Sequence, residues 1–210
     1  EISNVFKAGL VTGIGWLDVS VENAPEGVRI IALAEDEMSV VFDPLSRRAD
    51  LTDARFVARE RWLGADELQR LFPDTAGQAG LLLSGAQARG IYTNPMALGR
   101  TNYIDGERGL VRVVEVQYKQ TELRFRVKRT DGSEFLTFDK KQAYAQAGAT
   151  VSSEYAPRIY VGYFTDNVLL SHAPLTLPIE GFTLIPYVYK RAKSDGHPYG
   201  LVPVSYTHLT

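Results

Sequence analysis

Residues 123–128 constrain the fold more than any other run: Leu123, Phe125 and Val127 alternate with Arg124, Arg126 and Lys128. This period of two sets one face of a strand against a core and the other against water. Asp131-Gly132 follows at once and tolerates positive φ, so the chain is predicted to turn there, with residues 135–138 returning as a further strand. Residues 111–119 place Val114, Val116 and Tyr118 on one face and Glu115, Gln117 and Lys119 on the other. They are predicted to pair with residues 123–129 across Gln120-Thr121-Glu122. An antiparallel meander follows.

A second hairpin is predicted from residues 158–164 and 168–171, joined by Thr165-Asp166-Asn167, because Asp and Asn suit a tight turn. Helices are predicted to be short. Residues 65–72 carry Leu68, Leu71 and Phe72 on one side and stop at Pro73, while Asp139 can cap residues 140–147 with Gly148 ending them. Residues 75–90 read as a loop or a marginal helix around Leu81-Leu82-Leu83. Pro174, Pro178, Pro186 and Gly181 favour extended segments in the last third. The fold class is α+β, a strand-rich body with antiparallel hairpins and a few short helices, and residues 1–204 read as one region.

Composition sets limits on partners. A chain of 210 residues, 45% hydrophobic and 23% charged, is an ordinary folded module. Its formal charge of −2 lacks the basic balance of a protein that grips phosphate backbones, so DNA, as a partner, would be guided. Without cysteine there is neither a disulfide framework nor a thiolate nucleophile or metal site. No run of 18 apolar residues marks a membrane span. Glu1 is not an initiator methionine and the first residues open without a cap or turn, so the sequence reads as a piece of a longer protein. Residues 205–210 read as a translated sequencing adapter, a non-native tail.

Motifs for catalysis are missing. There is no phosphate loop of the motor type, Gly9 to Gly15 departs from the dinucleotide fingerprint and reads as a turn or close backbone packing, and Ser84-Gly85 lacks the nucleophile elbow. Asp43, Asp50 and Asp53 could collect a divalent cation, but Asp beside Pro44, Ser46 and Thr52 is explained by turns and caps. His172 and His197 stand beside prolines and read as loop or interface residues. The row Lys119, Arg124, Arg126, Lys128 and Arg129 is the best electrostatic candidate for nucleic acid or an acidic neighbouring subunit; a solvated strand face is the stronger explanation of it. The aromatic residues near the end, Tyr187 and Tyr189 among them, read as strand packing before base stacking.

Two distant signatures remain. Asp43-Pro44-Leu45-Ser46 runs into Asp50-Leu51-Thr52-Asp53-Ala54-Arg55-Phe56, and Glu60-Arg61-Trp62-Leu63 then precedes a short helix closed by Phe72-Pro73. Much later come Val113-Val114-Glu115-Val116 and Asp195-Gly196-His197-Pro198-Tyr199-Gly200. In this order the set resembles the portal proteins of short-tailed bacteriophages, over about residues 6–204. Each motif is short, and their order carries the likeness. The long helices that follow Tyr199-Gly200 in that family are not in this sequence.

The resemblance implies the wing-like body of a portal subunit. Such subunits form a homo-oligomeric ring, usually of twelve, at one capsid vertex, after assembly in the host cytoplasm. Double-stranded DNA passes through the ring in packaging and ejection, and terminase and tail or adaptor proteins dock on it. It implies no catalytic residue, cofactor, metal or membrane. Because the family's stem elements are not in this sequence, the fragment is expected to stay monomeric or poorly associated. Two rival readings stand beside it: a metal-assisted hydrolase built on Asp43, Asp50 and Asp53, and another β-rich phage adaptor module.

Overall fold

The computed structural model describes residues 1–24, 27–78, 80, 103–145, 147–166, 168–177, 181–194 and 196–201. Among these residues the chain is α+β, with three antiparallel sheets and a few short helices. Helix α1 (Ile2–Thr12) leads into β1 (Ile14–Ala24) and β2 (Gly27–Glu35), a hairpin that forms a three-stranded sheet with β10 (Leu184–Val188). The larger sheet, of seven strands, is built around β6 (Leu110–Lys128). On one side of β6 lie β4 (Phe56–Gly64), β3 (Val40–Phe42) and, near the far end, β7 (Glu134–Thr137); on the other lie β8 (Thr150–Thr165) and β9 (Val168–Pro174). The short β5 (Ile104–Asp105) joins the start of β6, and β11 (Lys190–Arg191) pairs with β12 (Pro198–Tyr199). Helix α2 (Ala65–Leu71) follows β4, and α3 (Lys140–Tyr144) follows β7.

The hairpin predicted at Gln120-Thr121-Glu122 does not form. Residues 110–128 are one strand of 19 residues, bonded to β8 from Val114↔Phe164 to Lys128↔Thr150 without a break. None of the three residues favours a turn, and β8 supplies a partner of matching length throughout. The other two hairpins form as predicted. Phe125 to Lys128 pairs with β7 after a turn whose Gly132 takes φ 85°, and β8 returns as β9 beyond Asp166, with Asn167 outside the described residues.

The predicted faces of β6 are also reversed. Glu115 and Gln117 are the buried pair, with Val111 and Val113 on the same side, while Val114, Val116 and Tyr118 are only half-buried. Parity carries that side of the strand to Phe125 and Val127, which are buried in a separate small core with Ala143. One continuous strand therefore serves two cores.

Helix α1 has no signal at its start, since Glu1 makes no side-chain cap; its end is marked by Gly13, left-handed at φ 101°, whose N–H bonds to the Gly9 carbonyl at 3.0 Å. Helix α2 stops before Pro73 as predicted. Asp139 caps α3 through the Lys141 amide at 2.8 Å, but the helix closes at Tyr144, short of the predicted 147. Of residues 75–90, only 75–78 and 80 lie among the described residues, as does none of 205–210. No described helix is long and apolar enough to cross a membrane.

Candidate functional site

The two distant signatures meet in space. Asp43 sits at the end of β3, buried, and its carboxylate accepts from the Leu45 amide at 3.0 Å and the Arg55 amide at 3.1 Å. The Arg55 guanidinium clasps the same carboxylate through Nε at 2.6 Å and Nη2 at 3.0 Å. That fork is the main cause holding the Asp43 carboxyl well below its ordinary range. Ten residues on, Asp53 accepts from the Ser46 hydroxyl at 2.6 Å and from the Arg47 amide at 2.6 Å. Burial pushes the Asp53 carboxyl up, but these donors and the Arg48 amide outweigh it and hold it at about 2.

Asp50 makes the third brace, accepting from the Thr52 amide at 3.1 Å and hydroxyl at 2.9 Å. The loop so tied presses Leu51, at φ 53°, and Ala54 into the core with Trp16, Val57 and Leu184. Leu51 is 1% exposed, so its burial compensates for a backbone conformation that Leu rarely adopts. The three carboxylates thus point into three separate sets of donors. Among the described residues no three His, Asp or Glu side chains are placed to hold a metal ion.

Arg191, which the sequence reading passed over, joins the two signatures. Its Nη1 donates to the Ser46 carbonyl at 3.1 Å and the Gly196 carbonyl at 2.9 Å, and its Nη2 to the Arg48 carbonyl at 3.0 Å. Burial lowers the tendency of this guanidinium to hold its charge, an effect that Asp53 opposes and Arg47 reinforces. Gly196 stands at φ 76° with the Arg47 guanidinium against its α-carbon, so a side chain there would overlap it. Pro198 and Tyr199 pair with Arg191 and Lys190, and the Leu201 amide bonds to the Leu10 carbonyl of α1 at 2.7 Å. Asp195 lies outside the described residues.

A second cluster binds the two sheets together. Arg59 donates to Asp18 at 2.6 Å, Glu35 at 2.8 Å and Glu115 at 2.8 Å, all four side chains being mostly buried. Arg61 adds a contact to Glu35, and Glu115 also accepts from Gln117, which reaches Thr183 at 2.6 Å. Burial works against the charge of Arg59, but the carboxylates of Glu115, Asp18 and Glu35 more than offset it and raise its pKa. Tyr163 lines a cavity of about 270 Å³ beside the cluster, and burial, with Glu115 next, pushes its hydroxyl up to about 12.

The basic row is dispersed. Arg124 pairs with Glu154 at 2.6 Å, and Arg126 and Lys128 pair with Glu134 at 3.6 Å, on the outer side of β6. Arg129 stacks on Phe135, and Lys119 turns to the other side and donates to the Thr52 carbonyl at 2.8 Å. Glu60 pairs with Arg112 at 3.1 Å, Trp62 is 38% exposed, and Phe72 packs on Tyr163. His172 lies within β9, not in a loop, stacked on Tyr160 with its Nε2 at 2.8 Å from the Tyr118 hydroxyl. Proline at 174 ends that strand and does not displace the histidine from it.

The family model for phage P22-like portal protein matches residues 1–203, a span that includes both signature turns and the ion cluster. No curated protein matches the chain.

Proposed function

The chain belongs to the phage P22-like portal protein family, and from that premise we propose that it forms the strand-rich, wing-like body of a portal subunit. Portal proteins are structural components of the virion that connect head and tail. In this reading identical subunits close into a ring, usually of twelve, at one capsid vertex. Double-stranded DNA is conducted through the ring in packaging and ejection, and terminase and tail factors dock on it. The ring assembles in the host cytoplasm.

The family match over residues 1–203 carries this reading. The geometry supports it in one respect: Asp43, Asp50 and Asp53 are spent on separate turns, and Arg191 ties a turn 145 positions away to the first. Such bracing suits a part that holds its shape under load and makes or breaks no bond. Capsids assembled with the complete subunit are expected to fill with double-stranded DNA, and capsids assembled without it to stay empty. Filled heads lacking the subunit would overturn the proposal. So would divalent-metal-dependent phosphodiester hydrolysis that is lost when Asp43, Asp50 and Asp53 are all changed to Asn.

A further inference from the structure

We propose that the cavity beside Arg59 binds a small neutral molecule made of an aromatic ring and a primary carboxamide. The cavity lies where β4, β6, the end of α2 and the β8–β9 hairpin meet. Its volume of about 270 Å³ is near the lower end of small-ligand pockets, about 300–1,000 Å³. Strand register gives it two unlike ends. Arg61 pairs with Val113 and Arg59 with Glu115, so the odd-numbered residues of β4 and β6 share one side of the sheet. That side passes from Leu63 to Arg59 along β4 and from Val113 to Glu115 along β6, from apolar to charged.

The charged end has bonding capacity left over. Arg59 commits Nε to Glu115 and Nη1 to Asp18 and Glu35, and among the described residues its Nη2 has no hydrogen-bond partner. The hydroxyls of Tyr163 and Ser171, which face each other across β8 and β9, have none either. Arg59 is only 7% exposed, yet neither its Nη2 nor the Tyr163 hydroxyl is sealed from solvent. Polar groups so deep in a protein are seldom left unmatched. Glu115 accepts one bond on each oxygen, from Arg59 and Gln117, and a carboxylate has about four such places. The cavity therefore offers unused donors and an unfilled acceptor side by side.

Charge selects the head group. Asp18, Glu35 and Glu115 outnumber Arg59 and Arg61 by one, so an incoming anion meets surplus negative charge. An incoming cation meets the two guanidiniums that line the cavity. A neutral head avoids both costs and the larger one of burying a charge. A primary carboxamide carries an oxygen for Arg59 and Tyr163 and two N–H groups for Glu115 and Ser171. The Tyr163 hydroxyl, pushed up to about 12, keeps its proton for that bond at neutral pH. At the apolar end Phe72 leans on Tyr163 with ring centroids 5.2 Å apart, beside Leu63 and Val113, and such walls suit a flat ring. The site is separate from the two signature turns and does not depend on any role in DNA passage.

Benzamide is the probe, titrated into the whole chain while NMR follows the methyl groups of Leu63 and Val113. Saturable shifts are expected, with a Kd of about 1 mM or tighter. Benzoate and benzamidine keep the ring and change the charge, and each should bind at least about tenfold more weakly. N-acetylglutamine methylamide keeps the head without the ring and should be weaker by at least about tenfold as well. Tyr163→Phe removes a donor that bonds to nothing in the protein, so it should melt as the parent does while weakening benzamide at least about threefold. Ser171→Leu, at an exposed position on the cavity wall, should block binding. No shift up to about 10 mM benzamide overturns the proposal. So does equal binding of either charged analogue, or a benzamide affinity that either variant leaves unchanged. Equal binding of the glutamine amide overturns it too, by assigning the cavity to a side chain of another protein.

Discussion

The two ends of β6 solve opposite problems with the same side of one strand. At the body end, Glu115 and Gln117 are buried in a network that reaches Arg59, Asp18 and Thr183 across two sheets. At the far end, Phe125 and Val127 pack with the apolar side chains of Ala143, Phe135 and Val151, while the ion pairs stay on the outer side. Three carboxylates face two guanidiniums in the body, so removing a guanidinium leaves buried negative charge uncompensated. The far end, a small lobe of β6, β7, β8 and α3 around Phe125 and Val127, holds no such hostage. Its stability rests on a few apolar contacts, so the body should fail by charge and the lobe by cavity.

The sharpest test of that contrast is Arg59→Met, which strands three buried or half-buried carboxylates. It is expected to lower stability by about 3–5 kcal/mol in chemical denaturation, and a loss under 1 kcal/mol would break the comparison. Phe125→Ala comes next, at about 3 kcal/mol. The loss should be confined to the lobe, so hydrogen exchange ought to quicken at residues 124–128 and 150–153 while amides near Arg59 keep their protection. Equal loss at both ends would show one cooperative unit.

Asp43→Ala should cost about 1–3 kcal/mol, because two backbone donors lose a charged acceptor, whereas Asp43→Asn keeps an acceptor and should cost less. A pH titration of the melting temperature adds the sign. Asp43 and Asp53 both titrate lower in the folded protein than the usual 3.8, so the stability they supply is complete above about pH 4 and declines as pH falls toward 2. Replacing both with Asn should flatten that decline. The smallest effect belongs to Arg124→Met. Its pair with Glu154 is partly exposed and should be worth under about 1 kcal/mol, measured in the same denaturation series.

Local chemistry was legible and distant chemistry was not. Asp131-Gly132, Pro73 and Asp139 act over a few residues, and each turn, stop or cap appears where its residue type predicts it. The faces of β6 could not be read from alternation, since Val114 and Val116 look like core until Arg59, from the neighbouring strand β4, and Thr183, just before β10, arrive to satisfy Glu115 and Gln117. Arg191 had the same defect: one basic residue near the end gives no hint that three carbonyls await it. Within the candidate site, the order of Asp43, Ser46, Asp53 and Gly196 pointed to the family, and only the fold showed that the two groups touch.

The unbroken β6 has a mechanical consequence. At about 3.3 Å per residue, its 19 residues make a beam roughly 60 Å long, bonded along its length from Val114 to Lys128 to β8. Because no turn interrupts Gln120-Thr121-Glu122, the lobe has no joint at which to fold against the body without tearing that ladder. A push on the lobe tip therefore acts as torque on a lever, and its fulcrum is the sheet that carries Arg59.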